Sequence, residues 1–164
     1  MSMNKTHITL SLAIAFASGM TSQTLEANPN TKKMEAAIYQ YFRGVQSLDT
    51  QTYVKAFASD GTLEDPAGTA PVRGRAAIGT VNSGVPQLFG KLTPRVKEIY
   101  VGVGNSTEAT VSWTLTGYTK QGKQVVVHGI GIFKFKTIYP GEDMPLLESV
   151  REFYDPTEFT SQLQ

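Results

Sequence analysis

Residues 60–78, DGTLEDPAGTAPVRGRAAI, read as a short strand over 62–65 that runs into a proline- and glycine-punctuated turn and then starts a helix. Asp65 is a carboxylate at the end of that strand. Pro66 fixes its own φ and pushes the residue before it into extended geometry, so Asp65 is aimed rather than loose. Gly68 and Gly74 let the backbone double back over whatever Asp65 faces. An Asp before Pro has a second common use, accepting backbone N–H groups inside the turn, and the pattern alone leaves both uses open.

Upstream of this stretch, Met34, Ile38, Tyr41, Phe42, Val45 and Leu48 recur at spacings of three and four, the apolar stripe of a helix. Asn30 or Thr31 can cap it, and Glu35 in its opening turns suits the helix dipole. Asp49 caps a second helix carrying Tyr53, Val54 and Phe57. A third, short helix follows Gly74 and becomes irregular beyond Val81, limited by Gly79, Gly84 and Pro86.

Downstream of Pro94 the period changes to two. Strands are predicted over 95–103, 109–119, 124–136 and 146–154, with turns at 120–123 and 139–143. In the second, Val111, Trp113 and Leu115 alternate with Ser112, Thr114 and Thr116. In the last, Val150, Glu152 and Tyr154 share one face, while Leu147, Ser149, Arg151 and Phe153 share the other. Helices first and an antiparallel meander after make an α+β pattern.

The 164 residues fit one domain with its own core. Fifteen basic and fourteen acidic residues leave a net charge of +1 with no basic stripe, so nothing argues for nucleic acid. Zero cysteines exclude disulfides and thiolate metal sites, and the two histidines, His7 and His128, are too far apart to suggest a metal site. Residues 1–19 have the layout of a signal peptide: Lys5, an apolar run over 8–16, and small residues at 15–19. The run is too short for a permanent membrane span. Export is therefore expected if the leader is functional, and a cytoplasmic location if it is only an extension. Residues 20–30 read as a linker, 31–156 as the domain and 157–164 as a C-terminal tail.

Glu64-Asp65-Pro66-Ala67-Gly68, followed by Pro71, Gly74 and Ala77-Ile78, resembles the ketosteroid isomerase and SnoaL-like branch of the NTF2-like superfamily. The likeness extends over roughly residues 32–155, with 34–49 and 53–58 as the family's first two helices and 128–135 as one of its long strands. It implies three N-terminal helices packed in a strongly curved, mostly antiparallel mixed sheet that encloses a pocket. It also implies cofactor-free acid/base chemistry beside a carbonyl of a small apolar ring compound, as in isomerases, cyclases or dehydratases. A non-catalytic binding pocket is the alternative.

On that resemblance Asp65 falls on the base, and Tyr41 on the phenol that hydrogen-bonds the developing oxyanion, beside which the relatives use a protonated acid. Gly131 stands where that second acid belongs, and Asn82 where a supporting Tyr belongs. The resemblance turns the Tyr154 face inward, which makes Glu152 either a substitute acid near Asp65 or a surface Glu paired with a neighbouring Lys or Arg. Gly131 and Tyr154 would then line the pocket. Trp113, Leu115, Phe133 and Phe135 are pocket wall or plain core, which alternation cannot separate. Arg73 and Arg75 flank the turn at the expected mouth and are either anion-attracting or simply solvated. His128, of opposite parity to Gly131, faces away. With Ile130 and Ile132 it forms an outer face apolar enough for a homodimer.

Overall fold

The computed structural model describes residues 26–164. The predicted leader over 1–19 and the first part of the linker lie outside the described residues. The elements run α1 (Thr31–Ser47), α2 (Thr50–Val54), β1 (Phe57–Glu64), β2 (Val72–Arg73), α3 (Arg75–Asn82), α4 (Val85–Leu88), β3 (Phe89–Val101), β4 (Glu108–Thr119), β5 (Gln124–Phe135), β6 (Leu147–Phe153) and α5 (Pro156–Ser161). Six strands form one sheet in the order β2-β1-β6-β5-β4-β3. Every pairing is antiparallel except β1 with β6. Register breaks at Phe89/Lys91 and Val96/Glu98 in β3 bend the sheet around the helices, the local effect of bulges. Among the described residues no helix is long and apolar enough to cross a membrane.

The α1 stripe supplies the core from one side. Met34, Ile38 and Phe42 pack with Phe57, Val111, Phe133, Phe135, Leu147 and Val150 from the sheet, all of them buried. The stripe continues past the core, because Val45 and Leu48 at the end of α1 are only half-buried and face an open cavity. Gly44 sets the approach of α2 to α1: a Cβ there would lie 2.7 Å from the Cα of Tyr53. That contact brings the rings of Tyr41 and Tyr53 to 5.3 Å.

Asp49 caps α2 as predicted, accepting from the N–H groups of Gln51 and Thr52. Elsewhere the local details differ. Neither Asn30 nor Thr31 caps α1 with its side chain. Asn28 orders this entry instead, accepting from Asn30 N–H and donating to the carbonyls of Gly102 and Ser106. Phe57 belongs to β1, not α2, because its pairing with Leu147 on β6 extends the strand through residues that show no alternation of their own. β3 begins at Phe89 and runs through Pro94, which an edge strand tolerates because one side of its backbone is unpaired. The segment predicted as a plain tail carries α5, whose Asp155 cap accepts from Thr157 and Glu158 N–H.

Candidate active site

Asp65 follows directly on β1, and its peptide bond to Pro66 is cis. The turn beyond it is secured by its neighbours. Glu64 Oε2 accepts from Gly68 N–H (3.2 Å) and pairs with Arg151 Nε (3.1 Å), and Ala67 N–H donates to the Glu152 carbonyl (2.6 Å). Gly68 and Gly74 both have positive φ, at 94° and 83°, the conformations that glycine adopts without strain. The in-turn role open to an Asp before Pro thus falls to Glu64, and the Asp65 carboxylate faces a cavity of about 220 Å³.

The floor of that cavity is a chain of polar groups. Tyr53 Oη donates to Tyr41 Oη (3.3 Å), and Tyr41 Oη donates to Glu152 Oε1 (2.9 Å). Trp113 Nε1–H donates to Glu152 Oε2 (2.7 Å). Glu152 is only 4% exposed, so both of its oxygens are satisfied by buried donors and it is not a surface acid. Leu115, Val45, Leu48, Phe89, Leu92 and Phe159 are among the apolar side chains that complete the wall, and among the described residues no Lys, Arg or His lines it.

Two inward-facing glycines on β5 make room for this floor. A Cβ on Gly129 would collide with the indole of Trp113, and one on Gly131 would lie 2.8 Å from Glu152 Oε2 and 2.5 Å from the Phe133 ring. The acid that the resemblance expects at 131 is therefore absent for a steric reason: the carboxylate of Glu152, paired with Gly131 across the β5–β6 ladder, fills that space. Gly129→Ala should cost about 1–3 kcal/mol, because the indole cannot retreat without breaking its bond to Glu152. Thermal denaturation and the emission of Trp113, the chain's single tryptophan, read the change.

Burial dominates the electrostatics. Asp65 is exposed where the cavity opens, yet the protein packed around its carboxylate partly desolvates it and raises its pKa. The nearby Tyr154 hydroxyl opposes the rise. Glu152 is pushed up to about 7, first by burial and then by the charge of Asp65, against the pull of Tyr41 and Trp113. Burial and the adjacent acids also hold the phenols of Tyr41, Tyr53 and Tyr154 above the ordinary value, so they remain donors throughout the neutral range. Two carboxyl groups of unequal hydrogen bonding thus share one apolar space, the condition under which their titrations separate.

Tyr41, Asp65, Glu152, Trp113, Leu115 and Tyr154 all line the cavity. Gly131, Phe133 and Phe135 do not: the two rings are at most 1% exposed and belong to the core beneath the floor. Arg73 and Arg75 also lie off the wall, donating to the carbonyls of Asp60 and Phe57. Tyr53 is the participant that sequence reasoning missed, since it reads as part of the α2 apolar face. It takes over the support that Asn82 does not give to Tyr41. Asn82 lines the cavity and accepts from Thr50 Oγ1 (3.3 Å), tying α3 to α2. The signal for Tyr53 was the Gly44 in the α1 stripe, which permits the approach.

The family model of the SnoaL-like domain matches residues 38–137. The chain belongs to the SnoaL-like family. Among solved structures, this SnoaL-like domain is similar to SalBIII, an epoxide hydrolase/cyclase-like enzyme with a role in pyran ring formation in the polyether salinomycin. That match has 20% identity, covers 79% of this chain and 95% of SalBIII, and gives a TM-score of 0.64. A protein of Novosphingobium aromaticivorans provisionally named an aromatic ring hydroxylase matches at 16% identity, over 73% of this chain and 85% of its own, with a TM-score of 0.63. At these identities the likeness establishes the NTF2-like fold, and activity has to be argued from the site.

Proposed function

We propose that this SnoaL-like domain is a cofactor-independent acid/base enzyme that moves a proton at a carbon next to a carbonyl. The observation that carries this reading is that Asp65 and the Tyr41–Glu152 pair face one apolar cavity. Ionised Asp65 takes the proton from carbon, and the electron pair moves onto the carbonyl oxygen, which Tyr41 meets with a hydrogen bond. Tyr41 can do so once Glu152 carries a proton. The 2.9 Å contact then reverses, Glu152 donating to the phenol oxygen and releasing the phenol hydrogen towards the substrate. Asp65 returns its proton to another carbon of the conjugated system, completing an isomerisation with no external reactant.

The substrate class follows from the wall. Two carboxyl groups and no lining Lys, Arg or His among the described residues disfavour an anion, and the apolar surfaces favour a small neutral ring ketone. Incubation of a panel of cyclic enones and β,γ-unsaturated ketones in D₂O tests this directly, because α-deuteration is visible even when the product equals the substrate. Enzyme-dependent exchange is expected with at least one member, and Tyr41→Phe should slow it about a hundredfold or more. The rate should rise as Asp65 ionises and fall as Glu152 loses its proton near pH 7.

The second reading is a binding pocket without turnover. It is favoured by the Tyr41 hydrogen being directed at Glu152 in the structure. Buffer-level exchange across the panel, with a co-purifying apolar molecule in the cavity, would select it. The same proposal places a second copy of the chain on the outer sheet face, where exposed Ile130 and Phe153 pair across β5 and β6 beside exposed His128.

A further inference from the structure

α5 is short and contains no buried residue, yet it forms part of the cavity wall. Its Thr157, Glu158, Thr160 and Ser161 are exposed, while Phe159 lines the cavity. One layer of helix therefore separates the cavity from solvent at this point. The Phe159 ring stacks on Phe89 (centroids 6.4 Å apart) and meets Tyr154 edge-on at 6.2 Å. Tyr154 in turn lies against the floor residue Trp113, also at 6.2 Å.

The helix is fastened by one polar clasp. Gln162 Oε1 accepts from Val126 N–H (2.8 Å), and its Nε2 donates to the Val126 carbonyl (2.9 Å). Val126 lies where β5 has run past its β6 partner, whose ladder begins only at Ile130. Gln162 thus completes a strand edge with a side chain, as a neighbouring strand would with its backbone. Half-buried Leu163 adds an apolar contact.

The geometry points to α5 as a cover clasped by Gln162, with Phe159 setting the length of the molecule that the cavity admits. This rests on the reading of the cavity as a binding site, without requiring turnover. A ring held at the polar floor would direct any substituent along the apolar wall, and Phe159 blocks that path. Truncating the ring extends the cavity towards solvent. Releasing the clasp leaves the ring in place chemically but lets the helix lift.

The probes are 4-n-alkylcyclohexanones from methyl to octyl, with binding read from Trp113 fluorescence and confirmed by calorimetry. In the native protein, affinity should rise about fourfold per added methylene up to a cut-off and then fall. Phe159→Ala should move the cut-off out by roughly two methylenes or more, and Phe159→Leu by less. Gln162→Ala should keep the cut-off and speed association and dissociation together by about tenfold, the worth of its two hydrogen bonds. An unchanged chain-length profile in both Phe159 variants overturns the assignment while leaving the binding site intact. No binding of any member to native protein overturns the binding-site reading itself, and this assignment with it.

Discussion

Asp65→Asn is expected to abolish α-proton exchange, lowering the rate by about 10²–10⁴, the range that a positioned general base contributes. The substitution removes a charge and almost no volume. Asp65 takes no part in securing its turn, which depends on Glu64, Gly68, Arg151 and the Ala67–Glu152 backbone bond. The variant should therefore fold normally and bind the same cyclohexanones, as reported by Trp113. It should also lower the pKa of Glu152, since the Asp65 charge is the second cause of its rise. An Asp65→Asn protein that exchanges at the native rate would remove the base from the mechanism. One that fails to bind as well would show that Asp65 serves the ligand rather than the proton.

The second large effect is on stability. Glu152 is pushed up to about 7 in the folded protein against an ordinary 4.5. A raised folded pKa means that the folded state holds the proton more tightly than the unfolded chain does. Its contribution is fully present below about pH 4.5 and is lost as pH rises through about 7, a difference of about 3 kcal/mol. Asp65 acts in the same direction. The carboxylates of Asp49, Asp60 and Glu64 are pulled down by their hydrogen-bond partners, so their contributions disappear only at lower pH, as they become protonated. Native protein should accordingly lose stability between pH 5 and 8. Glu152→Gln should flatten that slope, gaining most at pH 8, because the amide can still meet Tyr41 and Trp113 without a charge to desolvate. Urea denaturation at a series of pH values checks this, and equal slopes for the two proteins would refute it.

The parts of the site legible in the sequence are those fixed by local pattern. Tyr41 falls in a helical stripe, Trp113 and Leu115 in a strand alternation, and Asp65 is announced by its proline. The state of Glu152 was harder to read. Parity puts it on the Tyr154 face, but whether that face is buried depends on the neighbouring strand. Its burial needs glycine at 131, which a single sequence reports as a missing acid rather than as space for one from β6. Phe133 and Phe135 alternate as a pocket wall does, yet they lie in the core because α1 covers their part of the sheet. α5 escaped notice because it is one and a half turns long, and its attachment depends on Phe159, Gln162 and Leu163, too few residues to set a period.

Direct titration of the two carboxyl groups by carbon NMR, assigned with Asp65→Asn and Glu152→Gln, puts the central claim to its plainest test. A Glu152 that titrates near 7, an Asp65 above the ordinary aspartate value, and a fall in the Glu152 value when Asp65 is replaced are the results expected of two acids sharing one largely apolar cavity. Two independent titrations at ordinary carboxylate values would contradict it.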